Sequence, residues 1–190
     1  MIQICQERHA DHAAREALLD RAYGPSRFGK TSARLREDRL PADGLSFVAT
    51  ERGKMIGTVR LWDISAGPGR PALLLGPLAV DCTSQKRGIG AALMRHAIAA
   101  ARALGHRAVL LVGDAAYYGR FGFSAAPTGA LWMPGPYEQS RLLALELEPG
   151  ALDGARGLIG ATGTVVPKPD LAALLAAERK AVNKPTPRAA

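Results

Sequence analysis

The longest continuous run of apolar positions extends from Leu73 to Val80, broken only by Gly76 and Pro77. So little alternation predicts a strand buried on both faces. Gly76-Pro77 in its middle removes a ladder donor and predicts a bulge or a splay at that point. A polar loop follows from Asp81 to Arg87. Beyond it, Ile89, Leu93, Ala97, Ala100 and Leu104 recur every three to four positions, the period of a helix laid on a sheet. Ser84 and Gln85 are placed to cap that helix and Gly105 to end it. Arg107 to Val112 is a second continuous apolar strand, so the segment predicts a right-handed parallel crossover.

Weaker patterns flank this centre. Ile2 to Cys5 predicts a short strand, and residues 10–22 a helix with Leu18, Leu19 and Ala22 inward. Residues 32–39 predict a second, charged helix ended by Leu40-Pro41. Ser46 to Thr50 and Lys54 to Trp62 read as antiparallel strands joined across Glu51-Arg52-Gly53, and Asp63 to Pro71 as a Gly/Pro-rich loop. Leu131-Trp132 and Arg141 to Leu147 are the last predicted strands, with Glu148-Pro149-Gly150 as a stop. The fold class expected is therefore α/β with a mixed (α+β) sheet, antiparallel strands leading into a β-α-β crossover. One domain is expected over 1–150, then an extension over 151–166 with no assigned element. Over 167–190 we expect a helix capped at Asp170 and a frayed basic tail.

The loop ahead of the long helix carries the candidate chemistry. Gln85-Lys86-Arg87-Gly88-Ile89-Gly90 sets consecutive backbone N–H groups at a helix N-terminus, where they lack intrahelical partners. Gly88 and Gly90 remove Cβ atoms that would block a ligand, and Lys86 and Arg87 add charge to the helix dipole. These features together describe a diphosphate cradle.

That hexapeptide, preceded by Pro77-Leu78-Ala79-Val80, resembles the acetyl-CoA loop of the GCN5-related N-acetyltransferases (GNAT), Q/R-x-x-G-x-G/A after an apolar strand. Ala116-Tyr117-Tyr118-Gly119-Arg120-Phe121-Gly122-Phe123 resembles the second signature of the same family, which ends in Tyr-x-x-Phe-Gly-Phe. The resemblance implies a GNAT-like sheet with a splayed parallel strand pair and a pantetheine arm between the strands. Leu78, Ala79 and Val80 would then pair with that arm as a pseudo-strand. It implies acetyl transfer from the thioester of acetyl-CoA to a primary amine by direct attack in a ternary complex, with no metal. It also implies Tyr118 as the general acid for the departing thiolate, since a phenol of pKa near ~10 matches a thiolate in basicity. Asp114 stands where relatives often place an asparagine contacting the cofactor. Acceptor binding falls to the variable first helices, the Asp63 to Pro71 loop and the Pro134 to Ser140 loop, and the resemblance allows a homodimer.

Composition narrows the alternatives. At 190 residues with 47% hydrophobic and 22% charged, the chain fits one globular domain. Two cysteines make no disulfide framework, no apolar run reaches membrane-spanning length, and Met1-Ile2-Gln3 opens no signal peptide, so a soluble cytoplasmic protein is expected. The net charge is +8, of which the segment 168–190, with five cations against two carboxylates, supplies three. Aromatics are only 5%, which disfavours nucleic acid and suits a polyanionic cofactor.

His9 and His12 lack a third ligand, and no Ser/His/Asp or Cys/His set is present. Cys82, without a histidine partner, reads as inert. Glu51, Asp63, Asp81 and Glu138 are the carboxylates considered as general base. Two other readings compete with the enzyme. One is a non-catalytic acyl-CoA-binding module of the same fold. The other is a nucleotide-binding P-loop over Gly24–Thr31, which matches G-x-x-x-x-G-K-[ST] but follows a predicted helix rather than a strand.

Overall fold

A computed structural model describes residues 1–168 and 170. Past its first residue, the helix expected over 170–182 lies outside the described residues, as does the tail expected over 183–190. The strands are β1 (Ile2–Gln6), β2 (Ser46–Glu51), β3 (Lys54–Ala66), β4 (Pro71–Val80), β5 (Ala108–Val112), β6 (Leu131–Trp132), β7 (Leu142–Glu146) and β8 (Gly157–Ala161). They form one mixed sheet in the order β1-β2-β3-β4-β5-β7, with β8 beside β3 and β6 beside β8. The helices are α1 (His12–Tyr23), α2 (Thr31–Arg34), α3 (Ile89–Ala103) and α4 (Ala115–Tyr118).

The continuous apolar run of β4 follows from cover on both faces. Leu73 and Leu75 pack with Val59, Leu61, Val109 and Leu111 beneath α3. Leu74 points the other way, into a core with Trp62, Ile64, Leu110, Leu131 and Leu142. On β2 and β4, Val48 and Ala79 meet Leu18 and Leu19 of α1. Alternate residues thus serve opposite layers. Leu18 and Leu19 are inward as expected, whereas Ala22 is exposed.

The crossover is as anticipated, but its details differ. α3 begins at Ile89 with Gly88 as N-cap at φ +77°. Ser84 and Gln85 do not cap it, because Cys82–Ser84 forms its own 3-10 turn, capped by Asp81 accepting from the Thr83 N–H. The buried stripe of α3 is Ile89, Leu93, Met94, Ala97 and Ala101. Leu104, past the last helical residue, is 55% exposed. The loop expected over 63–71 shrinks to 67–70, because β3 continues to Ala66. There it pairs with Pro71–Leu73 on one side and with β8 on the other. Residues 151–166, which received no element from the pattern, thus contribute a strand to the sheet.

β4 and β5 are parallel and pair only at Leu73↔Val109 and Leu74↔Leu110. Beyond Leu74 they part. β4 stays on β3, with a register shift opposite Gly76-Pro77 between Val59 and Leu61. The splay therefore lies where the Gly-Pro step predicts it.

Candidate functional site

The parting of β4 and β5 opens a cavity of about 340 Å³ between Leu75–Leu78 on one wall and Leu111–Asp114 on the other. Which backbone groups face it follows from the β3–β4 ladder. Asp81 donates its N–H to the Ile56 carbonyl, and Thr58 stands opposite Ala79. Antiparallel alternation then directs the N–H and C=O of Ala79 towards Thr58, and those of Leu78 and Val80 towards the gap. Of the three residues expected as a pseudo-strand, Leu78 and Val80 offer backbone groups there, while Ala79 packs its side chain under α1. The Leu78 carbonyl already accepts a hydrogen bond from the Tyr23 hydroxyl of α1.

Tyr118 lines the same cavity. Its ring stands edge-on to Tyr117 at 4.9 Å and to Phe123 at 6.1 Å between centroids. It also lies against the bare backbone of Gly113, where a Cβ atom would fall 2.2 Å from the ring. Burial raises the phenol from its ordinary value to about 12, which corrects the unperturbed value expected from the sequence. Asp114 sits at the cavity mouth as the N-cap of α4, where its carboxylate accepts from the Ala116 N–H at 2.8 Å.

The helix start adjoins this gap. The Ala92 N–H is the first in α3 to close a helical bond, onto the Gly88 carbonyl, so the amides before it have no helical acceptor. A Cβ on Gly88 would meet nothing within 4 Å, and one on Gly90 would lie 3.1 Å from the Tyr117 hydroxyl. Tyr117 therefore touches both the helix start and the cavity. Gln85 and Lys86 are exposed, and Ile89 is buried in the core under the loop. Arg87 is not a free charge, because it forms a two-pronged ion pair with Glu51 at 2.7 and 2.9 Å.

The four carboxylates considered as base do not line the gap. Glu51 is held by Arg87. Asp81 is buried, bonded to Thr83 and Arg21, and its pKa is lowered chiefly by the Thr83 hydroxyl and amide. Asp63 accepts the amides of Thr162 and Gly163 with its backbone carbonyl. Glu138 is exposed. Among the described residues no cluster of three His, Cys, Asp or Glu side chains could hold a metal. No helix there is long and apolar enough to cross a membrane.

The P-loop match does not have the geometry its chemistry needs. Gly24–Thr31 follows helix α1 rather than a strand, and Pro25–Gly29 is a 3-10 turn. Lys30 sits over the Tyr23 ring, and the Thr31 hydroxyl donates to the Pro136 carbonyl. Among the residues lining the gap that the sequence reading did not single out are Tyr23, Arg36, Gly113 and Arg141. Tyr23 and Arg36 reach the gap from the first third of the chain, where no local motif marks them. Gly113 becomes informative only once Tyr118 is seen lying on it.

Comparison with known proteins agrees with this geometry. The model of the Acetyltransferase (GNAT) family matches residues 12–123. The uncharacterized N-acetyltransferase YhbS of Escherichia coli K12 is 32% identical over 146 residues, 76% of this chain and 86% of the relative. The crystal structure of YhbS in complex with CoA superposes with a TM-score of 0.72 at 30% identity, covering 85% of this chain and 89% of that one. A GNAT family acetyltransferase from Brucella melitensis, in complex with acetyl-CoA, gives a TM-score of 0.64 at 28% identity over 85% and 96%. With the family model spanning more than half of the chain and YhbS alike in sequence and fold, the chain belongs to the GNAT family of acetyltransferases.

Proposed function

We propose that this chain transfers an acetyl group from acetyl-CoA to a primary amine by direct attack in a ternary complex. The observation that carries the reading is that Tyr117 lines the β4–β5 gap and stands against Gly90 among the open amides at the start of α3. The bare Gly88, the exposed Lys86 and the α3 dipole suit a diphosphate, and the gap suits a pantetheine arm. Acetyl-CoA supplies the activated acyl group and the thiolate leaving group.

The chain's own residues do the rest. The Leu78 and Val80 backbone lies where the arm's amides would pair, and their N–H groups are placed to stabilise charge developing on the carbonyl oxygen. The amine nitrogen bonds to the carbonyl carbon as the C–S bond breaks. The Tyr118 hydroxyl gives its proton to the departing sulfur, and the proton lost from nitrogen passes to water, from which the Tyr118 phenolate is reprotonated, since none of the four carboxylates considered as base lines the gap. Asp114 is positioned to accept from an amide at the mouth.

The reading is tested by calorimetric titration of CoA and acetyl-CoA, followed by thiol release with an amine panel. We expect 1:1 binding, stabilisation of about 2.7 kcal/mol at a hundredfold excess over Kd, and turnover with at least one amine. Binding without turnover would leave an acyl-CoA-binding module. Stabilisation by ATP–magnesium but not by CoA would overturn the reading altogether.

A further inference from the structure

A second cavity of about 340 Å³ lies on the α1–α2 side of Pro77. Arg27, Arg36 and Pro77 line both this space and the gap, so the two adjoin at the end away from α3. The charges around the junction are unequal. Arg15 pairs with Glu7 and Glu16, Arg27 with Glu16 and Asp20, and Arg60 with Glu7. Arg36 forms no ion pair among the described residues, and its Nε donates only to the Ser32 carbonyl at 3.1 Å. Burial pulls its pKa down to about 10, and it remains charged at neutral pH.

Three further cations in the two linings, Lys30, Arg34 and Arg141, form no ion pair among the described residues. Lys30 lies over the Tyr23 ring, and Arg34 donates to the Pro134 carbonyl at 2.9 Å. The acidic groups in the two linings are Glu16, already bound by two arginines, Glu37, which is exposed, and Asp114, occupied in capping α4.

A partly buried guanidinium with no counter-ion is unfavourable until an anion reaches it. The coenzyme does not supply that anion here, because its phosphates belong at the start of α3 and its pantetheine arm is uncharged. We infer that Arg36 binds an anionic group on the acceptor, so that the substrate is an amine carrying a carboxylate or a phosphate close to its nitrogen. This rests on the acetyl-transfer reading and deepens it. Arg36 suits such a group because its planar fork meets two oxygens at once. Trp62 and Phe28 in the second cavity leave apolar room for the remainder of the molecule.

The test uses the full chain, acetyl-CoA and paired acceptors: amino acids against their amides, and phosphoethanolamine against ethanolamine. The anionic member of a pair is expected to show at least tenfold higher kcat/KM, with the carboxylate and phosphate arms separating the two anions. Arg36→Gln should remove that preference through the acceptor KM while the acetyl-CoA KM moves less than twofold, and Arg36→Lys should restore part of it. Preference for neutral amines, or a loss in Arg36→Gln that falls on the acetyl-CoA KM, overturns the assignment.

A binding arm keeps the question separate from turnover. N-acetylglycine and N-acetylglycinamide are titrated into CoA-saturated protein by saturation-transfer NMR. Binding of the acid alone, lost in Arg36→Gln, supports the site even if no amine turns over. Equal binding of the two overturns it even if acetyl transfer stands, as does binding of neither when N-acetylphosphoethanolamine also fails to bind.

Discussion

The phenol of Tyr118, packed among Tyr117, Phe123 and the bare backbone of Gly113, is poorly hydrated, and desolvation penalises only its charged form. With its pKa near 12 it keeps its proton across the whole range in which an acetyltransferase would be assayed. Tyr118→Phe is therefore expected to lower kcat by roughly 10²-fold, the lower end of what a positioned general acid contributes. The loss should be equal at pH 7 and pH 9, read by thiol release, because nothing on Tyr118 titrates between them. A deficit that grows towards alkaline pH would assign Tyr118 a different role. The linkage has a definite sign. A folded-state pKa raised above the unfolded value near ~10 contributes stability that is complete below pH 10 and is lost as pH rises towards 12. Tyr118 itself was legible from its Tyr-x-x-Phe-Gly-Phe context, but its acidity was not, since burial is set by residues brought together only by the fold.

At the scale of elements, the start of α3 joins a conformational demand to a spatial one. Gly88 sits at φ +77° with open space where a side chain would project. Gly88→Ala should cost about 1 kcal/mol in chemical denaturation, from left-handed strain, and weaken CoA binding less than a charged substitution does. Gly88→Asp carries the same strain and adds a negative charge facing the diphosphate. Its CoA affinity is expected to fall at least 100-fold by calorimetry, and equal affinities for the two variants would place the phosphates elsewhere.

The loop could be read from the chain because its logic is local: polar residues and two glycines between a buried strand and an amphipathic helix. The cap was misplaced by a few positions because Asp81 bonds the Thr83 amide and closes a separate turn before the helix begins. Arg87 looked like free positive charge for a similar reason, as its partner Glu51 lies 36 residues away on the β2–β3 hairpin. The splay, by contrast, was visible in Gly76-Pro77, which interrupts the run where β4 leaves β5.

Across the whole molecule, Glu7 ties β1, α1 and β3 together. It accepts from Arg15, itself 4% exposed, and from Arg60 at 2.5 and 2.7 Å. Neutralising it in Glu7→Gln leaves Arg60 with no counter-charge and the buried Arg15 with Glu16 alone. We expect a loss of about 3–5 kcal/mol in urea unfolding, against less than 1 kcal/mol for a surface carboxylate. Such a knot is invisible to periodicity, because Glu7 and Arg60 are 53 positions apart. β8 escaped prediction for a related reason: Gly157–Ala161 has too few bulky residues to announce a strand, and its neighbours β3 and β6 define it. Its presence bears on how the protein can be handled. A chain shortened to end at Gly150 would strip the hydrogen-bonding partner from Ile64–Ala66 and leave a bare ribbon margin beside the buried Leu131. Unguarded margins of that kind recruit one another. The trimmed protein should therefore sediment as large assemblies or collect in inclusion bodies, whereas a chain cut after Val166 should stay dispersed.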